Sequence, residues 1–412
     1  MRIVYILDTL ARIGGLERII TDKMNWLADN GHEVTLITAA QGDHPHSFPL
    51  SQKVRHTDID ARFHVQYRYR YPMRLFVRWQ MDRRFRRNLN RAIETIDPDV
   101  IVATTYYKAD VVSGLKCRAA KIIESHNARP FTGRMDGVRR NAIIQWFHDI
   151  SLRRYNRRIE RKADAVVTLT EGDAREWAAA RRVCVIPNIY VSPSDGHLDH
   201  LSDCCVPPSE GCITSSDSCI TPTEDGERPC RRRVIAAGRL VYQKGFDMLI
   251  DAWAIVAKPH PDWTLDIFGA GEEQQRLEQQ IQRLGLEGRV RLNRPTPDIL
   301  KEYSRSDLLV VSSRFEGFSL VLVEAMSCGT PCISFDCQYG PSEVIRDRKD
   351  GLLVENGNIG QLATTICHLI ENDEERLQYG RRAAENITRY RPENVMPMWT
   401  DLFAKLTAGR KQ

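Results

Sequence analysis

Short apolar runs alternate along the N-terminal part of the chain with segments in which apolar residues recur every three or four positions. Arg2–Leu7 and Glu33–Thr38 have the pattern of buried strands, and Leu16, Ile19 and Met24 between them lie at helical spacing. Two strands joined by a helix form a parallel pair. Further strands are predicted at Val100–Thr104, Lys121–Ser125, Ala165–Thr170 and Cys184–Pro187. The pattern predicts a Rossmann-like α/β domain.

The same alternation returns in the C-terminal part, after a long polar segment. Strands are predicted at Val234–Ala237, Trp263–Phe268, Val290–Asn293, Leu308–Val311 and Gly351–Val354. A chain of 412 residues has room for two domains with separate cores. We therefore predict one domain over residues 1–191, a linker over 192–231, a second domain over 232–392 and a C-terminal helix within 393–412.

The predicted linker, Ser192–Arg231, differs in composition from both domains. Ser, Pro, Thr, Asp and Gly dominate it, apolar periodicity is lost, and it contains Cys204, Cys205, Cys212, Cys219 and Cys230. About 40 residues without regular structure is long for a compact enzyme and favours a disordered insertion. The cysteines lack the paired spacing of zinc sites, but metal binding, a redox function and partner binding stay open as alternatives.

Composition sets broad limits on the class of protein. The formal net charge is only +5, and the 11 cysteines are an odd number that includes several in predicted core elements, which favours a reducing compartment. The sequence contains no run of about 20 apolar residues, so no membrane span is predicted. The first apolar strand is too short for a signal peptide. We expect a cytoplasmic protein.

Arg62–Arg91 is the most basic segment. It contains ten arginines, one acidic residue (Asp82) and seven aromatic residues. Arginine headgroups beside aromatic and aliphatic side chains are typical of a helix that lies on an anionic membrane surface. The membrane hypothesis rests on Arg74, Arg78, Trp79, Arg83, Arg84, Arg86 and Arg87. A solvated helix face is the main alternative, and a polyanionic acceptor or nucleic acid is a third, although no nucleic-acid-binding fold is indicated around the segment.

Ser312–Ile345 combines a strand end, a glycine turn, a helix start and a second strand. Gly317 permits the turn, Ser319 is a candidate N-cap, and free N–H groups at the start of the helix suit a phosphate. Glu316 on the loop and Glu324 in the helix are spaced to reach a common ligand, and carboxylates pair well with sugar hydroxyls. On spacing alone, an exposed turn residue and an ordinary helix former explain the two glutamates equally well.

Other candidate site residues follow predicted strands, where α/β proteins bind ligands. They are Gly14 and Gly15 after the first strand, His126 after Lys121–Ser125, Gly238, Arg239 and Lys244 after Val234–Ala237, Gly269 and Gly271 after Trp263–Phe268, and Arg294 after Val290–Asn293. Arginine and lysine five residues apart can both reach a diphosphate. Each feature alone also has an explanation without a ligand. The glycines could form a tight turn, the histidine could make a structural hydrogen bond, and the basic residues could be solvent-exposed.

The run FEGFSLVLVEAMSCGTP, the Gly340–Glu343 segment GPSE and the run GRLVYQKGFD resemble the nucleotide-sugar site of the retaining GT-B glycosyltransferases of family 4. The resemblance implies two Rossmann-like domains facing each other across a cleft, with the C-terminal helix crossing back to the first. It implies that Glu316 contacts the donor hexose, Glu324 the ribose, Arg239 and Lys244 the diphosphate, and His126 the sugar near the reacting carbon. The amides of Gly317, Phe318, Ser319 and Leu320 would complete the donor site, with Gly14 and Gly15 facing the donor phosphates and Gly269, Gly271 and Arg294 near the base.

The resemblance implies a retaining, metal-independent hexosyltransferase with no cofactor and a nucleotide-sugar as co-substrate. The Tyr339-Gly340-Pro341 variant is similar to members that build surface polysaccharides, so we expect a UDP-sugar donor and a glycan or polyprenyl-linked glycan acceptor. An epimerase or hydrolase of the same fold is one alternative, and a catalytically idle scaffold that binds a membrane or a partner is another. Two departures stand out, namely the long linker and Ile189 where relatives have glycine. The donor sugar, the linkage and the oligomeric state do not follow from the residues.

Overall fold

The computed structural model describes residues 1–11, 14–61, 63–131, 142–191 and 232–408. The chain forms two compact units. The first comprises Met1–Tyr190 together with the chain from Tyr390 onward, and the second comprises the residues between them. The predicted linker insertion, 192–231, lies outside the described residues.

The first unit is built on a sheet of seven described strands, all parallel, in the order β3-β2-β1-β4-β5-β6-β7. The strands are β1 (Arg2–Leu7), β2 (Glu33–Thr38), β3 (Arg55–Asp58), β4 (Val100–Thr104), β5 (Ala120–Ser125), β6 (Ala165–Thr168) and β7 (Val183–Val185). The helices are α1 (Gly15–Asp29), α2 (Met73–Ile96), α3 (Ala109–Val112), α4 (Ala142–Lys162), α5 (Glu171–Glu176) and, at the C-terminus, α13 (Pro392–Thr407). Every residue of β4 is buried, as expected for a central strand covered on both faces.

The second unit contains a six-stranded parallel sheet in the order β10-β9-β8-β11-β12-β13. Its strands are β8 (Arg233–Ala237), β9 (Thr264–Phe268), β10 (Val290–Asn293), β11 (Leu308–Val311), β12 (Cys332–Asp336) and β13 (Leu352–Glu355). Its helices are α6 (Phe246–Val256), α7 (Gln274–Arg283), α8 (Ile299–Ser304), α9 (Leu320–Ser327), α10 (Pro341–Val344), α11 (Ile359–Glu371) and α12 (Asp373–Ile387). The predicted fold class, two Rossmann-like α/β domains, is confirmed.

The strand order reverses direction once in each sheet. In the first sheet, β2 and β3 are added on one side of β1, and β4 to β7 are added on its other side. In the second sheet, β9 and β10 lie on one side of β8, and β11 to β13 lie on its other side. At such a switch point the loops after the two neighbouring strands diverge and leave a crevice at their carboxyl ends, which is where open α/β sheets bind ligands. The fold therefore marks one candidate site in each unit.

Helix α13 packs within the first unit. Its Trp399 is buried, and Lys23 Nζ of α1 lies 3.8 Å from the centroid of the Trp399 ring. The helix begins one residue before the predicted segment 393–412 and ends at Thr407, and the missing N–H of Pro392 costs nothing in the first turn.

Several element ends differ from the predicted ones for local reasons. Strand β6 stops at Thr168 because Thr170 caps α5, its hydroxyl accepting a hydrogen bond from the Asp173 N–H at 3.2 Å. Strand β7 ends at Val185, before Pro187, which has no N–H for a ladder. The basic segment, of which Arg62 is not described, forms a 3-10 turn, Phe63–Arg68, followed by α2.

Candidate active site

A lysine and a glutamate meet at the switch point of the second unit. Lys244 Nζ, from the segment after β8, donates to Glu316 Oε1, from the loop after β11, at 2.6 Å, and Ser313 Oγ donates to the same oxygen at 2.6 Å. The side chains of Lys244 and Glu316 are 17% and 7% exposed. The other carboxylate oxygen, Oε2, accepts no hydrogen bond from a described residue. Two predicted donor-site residues thus lie together, and one oxygen of the pair is open to a ligand.

The segment that carries Lys244 is held against the loop after β11 by several further contacts. The Arg314 N–H donates to Gln243 O at 2.8 Å, Gln243 Nε2 donates to Phe315 O at 3.0 Å, and Ser312 Oγ donates to Lys244 O at 3.0 Å. Gly245 has φ of +61°, and an added Cβ would lie 2.1 Å from Ser312 O. Because only glycine fits this position, the sequence Lys244-Gly245 fixes the lysine at the edge of β11.

An Arg314–Asp247 ion pair, which the sequence did not indicate, braces the same junction. Two guanidinium nitrogens of Arg314 donate to the two carboxylate oxygens of Asp247 at 2.8 and 2.7 Å. Burial alone would raise the pKa of Asp247, but the hydrogen bond and charge of Arg314 outweigh it and lower that pKa. The sequence offered two signals for this ion pair. Arg314 is a basic residue just before Phe315-Glu316, and Asp247 is an acidic residue at the start of α6.

Gly269 and Gly271 are explained by the packing of two loops. A Cβ on Gly269 would lie 2.0 Å from Gly238 O, and one on Gly271 would lie 2.2 Å from Leu240 O. Gly238 itself has φ of +154°, and a Cβ added there would lie 3.2 Å from Cε of Lys244. These glycines let the loop after β9 support the loop that leads to Lys244. Contact with a nucleotide base stays a prediction.

The start of α9 presents the predicted phosphate-binding amides. Ser319 occupies the N-cap position, but it makes no side-chain capping bond. Its buried hydroxyl oxygen has no hydrogen-bond partner in the described part of the chain. The first N–H groups of a helix have no intrahelical partner. Gly317, Phe318 and Leu320 flank Ser319, and Glu324 lies one turn into α9 and is half-buried.

Two predicted basic residues of the second unit project into solvent. Arg239 follows β8 and Arg294 follows β10, and both are exposed. The side chains of these two arginines have no hydrogen bond or ion pair to any residue that the structure describes. They lie at the same carboxyl edge of the sheet as the Lys244–Glu316 pair, but no contact joins them to it.

In the first unit, His126 belongs to a buried charged triad. Lys23 Nζ donates to Glu124 Oε2 at 2.5 Å, and His126 Nε2 lies 2.9 Å from the same oxygen. The side chains are 2%, 1% and 5% exposed for Lys23, Glu124 and His126. Burial alone would raise the pKa of Glu124, but Lys23 and His126 outweigh it and lower that pKa to about 2.

The ionised Glu124 fixes the orientation of His126. A carboxylate only accepts, so Nε2 carries a proton, and Nδ1 is the ring nitrogen that Glu124 does not engage. His126 was predicted from its place after β5, whereas Lys23 and Glu124 were missed. The signals were a lysine on the mainly apolar face of α1 and a glutamate two residues before His126, on the same side of the strand.

Gly14 and Gly15 begin α1. Gly14 is the N-cap with extended backbone (φ −161°, ψ 160°), and Gly15 is exposed as the first helical residue. The neighbouring residues 12 and 13 lie outside the described residues. The extended conformation does not itself require glycine, and a Cβ added to Gly14 would meet the Glu17 carboxylate. Contact of the glycine pair with donor phosphates stays a prediction.

Helix α2 displays large apolar side chains at its N-terminal end. Phe76 and Trp79 are 53% and 52% exposed, whereas Phe85, Leu89 and Ile93 in the later turns are buried. Among the predicted membrane residues, Arg74 lies over the Tyr67 ring, Arg83 lies over the Trp79 ring, and Arg84 pairs with Asp60 at 3.2 Å. No helix in the described part of the chain combines the length and apolar character needed to cross a membrane.

Two family models match the chain, one in each half. A model described as Glycosyltransferase Family 4 matches residues 13–190, and one described as Glycosyl transferases group 1 matches residues 223–386. Together they span most of both units.

Similar proteins include an amylovoran biosynthesis glycosyltransferase of Erwinia amylovora, 25% identical over 98% of this chain and 99% of that protein. An exopolysaccharide phosphotransferase of Streptomyces coelicolor is 30% identical over 78% of this chain but only 30% of its own length. The crystal structure of HepE of Anabaena in complex with UDP-glucose has a TM-score of 0.69 at 21% identity, covering 98% of this chain and 99% of that one. The structural likeness shows a shared fold.

Proposed function

The chain belongs to the GT-B glycosyltransferases of family 4 type, and we propose that it transfers a hexose or N-acetylhexosamine from a UDP-sugar, with retention of anomeric configuration, to a glycan or lipid-linked glycan in surface polysaccharide synthesis. The main support is the Lys244–Glu316 pair at the β8–β11 switch point. It unites a cation suited to a diphosphate with a carboxylate suited to a sugar hydroxyl.

Catalysis on this proposal rests on the leaving diphosphate. Negative charge develops on that group as the bond to the sugar breaks, and groups held in place beforehand stabilise it most effectively. Lys244 is fixed by Glu316 and by the tight turn at Gly245. Arg239 and the first amides of α9 add a guanidinium and helix-end N–H groups. With these groups on the leaving diphosphate, the proposed reaction needs no divalent metal.

The carboxylates and His126 act on other parts of the donor. Glu316 Oε2 accepts from a sugar hydroxyl, while Oε1 stays bonded to Lys244 and Ser313. Glu324 accepts from the ribose. His126 positions the sugar near the reacting carbon through Nδ1, because Nε2 is bonded to Glu124. Each assignment is a proposal that combines the geometry with the family resemblance.

UDP is proposed as the nucleotide because HepE, which shares the fold, was crystallised with UDP-glucose. The proposal of a polysaccharide acceptor is supported by the amylovoran relative, which matches nearly the whole chain. The exposed aromatic and arginine side chains of α2 support a peripheral position on the cytoplasmic membrane face.

A thermal-shift screen against UDP-, GDP- and ADP-sugars with EDTA tests the donor class. We expect UDP-sugars to raise the Tm of the protein and GDP- and ADP-sugars to leave it unchanged. Stabilisation by GDP- or ADP-sugars instead would overturn the UDP assignment. Release of UDP and free sugar at an unchanged rate when polysaccharide acceptors are added would favour a hydrolase.

Sedimentation with phosphatidylglycerol vesicles tests the membrane position. Replacement of Arg83, Arg84, Arg86 and Arg87 by Ser is expected to release the protein from the vesicles, since each basic residue near an anionic surface contributes about 1 kcal/mol. Unchanged sedimentation of this variant would contradict the membrane proposal.

A further inference from the structure

A cavity lined by charged side chains lies in the first unit, at the carboxyl end of β4. Its volume is about 540 Å³, within the range of ligand sites, and its walls come from α2, the loop after β4, α3 and α4. Because β4 is the strand at which the order of the first sheet reverses, the cavity lies beside the switch point of that sheet. None of the donor-site residues proposed above lines it.

The cavity has an excess of positive charge. Arg78, Arg86, Lys108 and Arg158 line it, against only Asp82 and Asp110. Lys108 Nζ donates to Asp82 Oδ1 at 2.5 Å, and Arg158 pairs with Asp110 at 3.2 Å. Both carboxylates are therefore already paired.

The excess charge is that of two arginines on α2. Arg78 and Arg86 lie eight residues apart, with Asp82 midway, so all three share one face of the helix. Neither Arg78 nor Arg86 has a carboxylate partner among the residues that the structure describes. Two guanidinium groups without an acidic partner, on one side of a cavity, suit a phosphate or diphosphate better than a neutral sugar.

The loop opposite these arginines is held in a fixed conformation. Tyr155 Oη of α4 donates to Thr105 O at 2.9 Å and accepts from the Ala109 N–H at 3.2 Å, and the Thr105 N–H donates to Glu124 O at 2.9 Å. Lys108 has φ of +48°, a conformation that costs a non-glycine residue of order 1 kcal/mol and that persists where surrounding contacts impose it.

A polar atom in the same wall lacks a partner. The Thr105 hydroxyl oxygen is buried and has no hydrogen-bond partner in the described part of the chain. The hydroxyl oxygen is closed to solvent, so a ligand in the cavity would not reach it, and the assignment rests on the two arginines.

We propose that this cavity binds a phosphate or diphosphate group of the acceptor, with Arg78 and Arg86 as its main contacts and Lys108 and Arg158 at its sides. The inference rests on the proposed transferase function and makes it more specific, since it requires an anionic acceptor. A lipid-linked diphosphate and a soluble phosphorylated glycan share this chemistry. Exposed Phe76 and Trp79 on the same helix favour the lipid-linked form.

The test is titration calorimetry of the full chain with inorganic pyrophosphate and with farnesyl diphosphate, each in saturating UDP with EDTA. Saturating UDP occupies the donor site, so any remaining diphosphate binding reports on another site. The variant is Arg78→Gln/Arg86→Gln. The control is Arg153→Gln/Arg157→Gln, which removes the same charge from exposed positions of α4 that do not line the cavity.

The proposal predicts that wild type and control bind farnesyl diphosphate alike and that Arg78→Gln/Arg86→Gln weakens binding about tenfold or more, while UDP affinity stays unchanged. Tighter binding of farnesyl diphosphate than of pyrophosphate identifies a lipid-linked group, and equal binding identifies a soluble one. Equal weakening in both variants would show a diffuse charge effect and overturn the proposal, as would no diphosphate binding by wild type.

The UDP titration keeps the two proposals apart. If UDP binds and diphosphates do not, the cavity assignment fails and the donor proposal stands. If UDP does not bind but diphosphate binding depends on Arg78 and Arg86, the anion site stands and the donor proposal fails.

Discussion

Each unit contains a lysine–glutamate pair at the carboxyl edge of its sheet, but the surroundings of the two pairs differ. Lys23 and Glu124 are 2% and 1% exposed, and Glu124 Oε2 is also bonded to His126. Lys244 and Glu316 are 17% and 7% exposed, and Oε2 of Glu316 is open. The two lysine–glutamate pairs therefore differ in exposure and in the bonding of their carboxylates. The buried pair is bonded to a histidine, whereas the more accessible pair leaves one carboxylate oxygen without a hydrogen bond from a described residue, as the proposed donor site requires.

The largest effect is expected from breaking the buried pair. Lys23→Met leaves the Glu124 carboxylate buried beside His126 alone, and removing one partner of a buried pair costs about 3–5 kcal/mol. The free energy of unfolding, measured in urea, reports it. The control is Lys53→Met, since Lys53 pairs with Asp29 at 2.7 Å with both side chains more than half exposed, and exposed pairs contribute about 0–1 kcal/mol. Similar losses in both variants would contradict the distinction.

The more accessible pair is expected to affect turnover more than stability. Lys244→Met removes the cation proposed to stabilise the leaving diphosphate, and loss of one such group lowers kcat by about 10²–10³-fold. Lys301→Met, an exposed lysine of α8, serves as the control. UDP release from the donor measures the effect. A wild-type kcat for Lys244→Met would contradict this assignment. A loss of unfolding free energy as large as that of Lys23→Met would also contradict it.

The two glutamates of the second unit sharpen the comparison further. Glu316→Gln is expected to lower kcat by about tenfold or more, since its carboxylate is proposed to contact the sugar, whereas Glu324→Gln is expected to weaken UDP binding by a similar factor through the ribose. Steady-state kinetics and UDP titration separate the two effects. Equal losses of donor affinity in both variants would contradict this division.

The last prediction concerns stability in acid. The folded-state pKa of Glu124 is about 2, below its ordinary value of 4.5, so its ionised form favours the fold. Its contribution is fully present above about pH 4.5 and is lost as the pH falls towards 2. Over that range the stability difference between wild type and Glu124→Gln should shrink. A constant difference would mean that the Glu124 charge does not stabilise the fold.

The sheets could be predicted because their strands are continuous apolar runs, such as Leu308–Val311, separated by amphipathic helices. Pattern also placed His126, Lys244 and Glu316 after the correct strands. Their pairing could not be predicted, because Lys244 and Glu316 are 72 residues apart and only the strand order makes them neighbours.

Residues that act through others were missed. Lys23 lies within a helix whose buried residues are otherwise uncharged, and nothing in its spacing predicts that it reaches Glu124, 101 residues away. Thr105 and Lys108 follow β4 and carry no motif, so the basic cavity became visible only when α2 and α4 were placed beside them.

Titration calorimetry of UDP with wild type, Lys244→Met and Lys301→Met in EDTA tests the central claim, that the Lys244–Glu316 pair faces a nucleotide diphosphate. We expect wild type and Lys301→Met to bind UDP equally and Lys244→Met to bind it about tenfold more weakly or worse, since a charge-assisted contact to phosphate is lost. Equal affinity for all three proteins would contradict the claim and show that Lys244 only holds Glu316 in place.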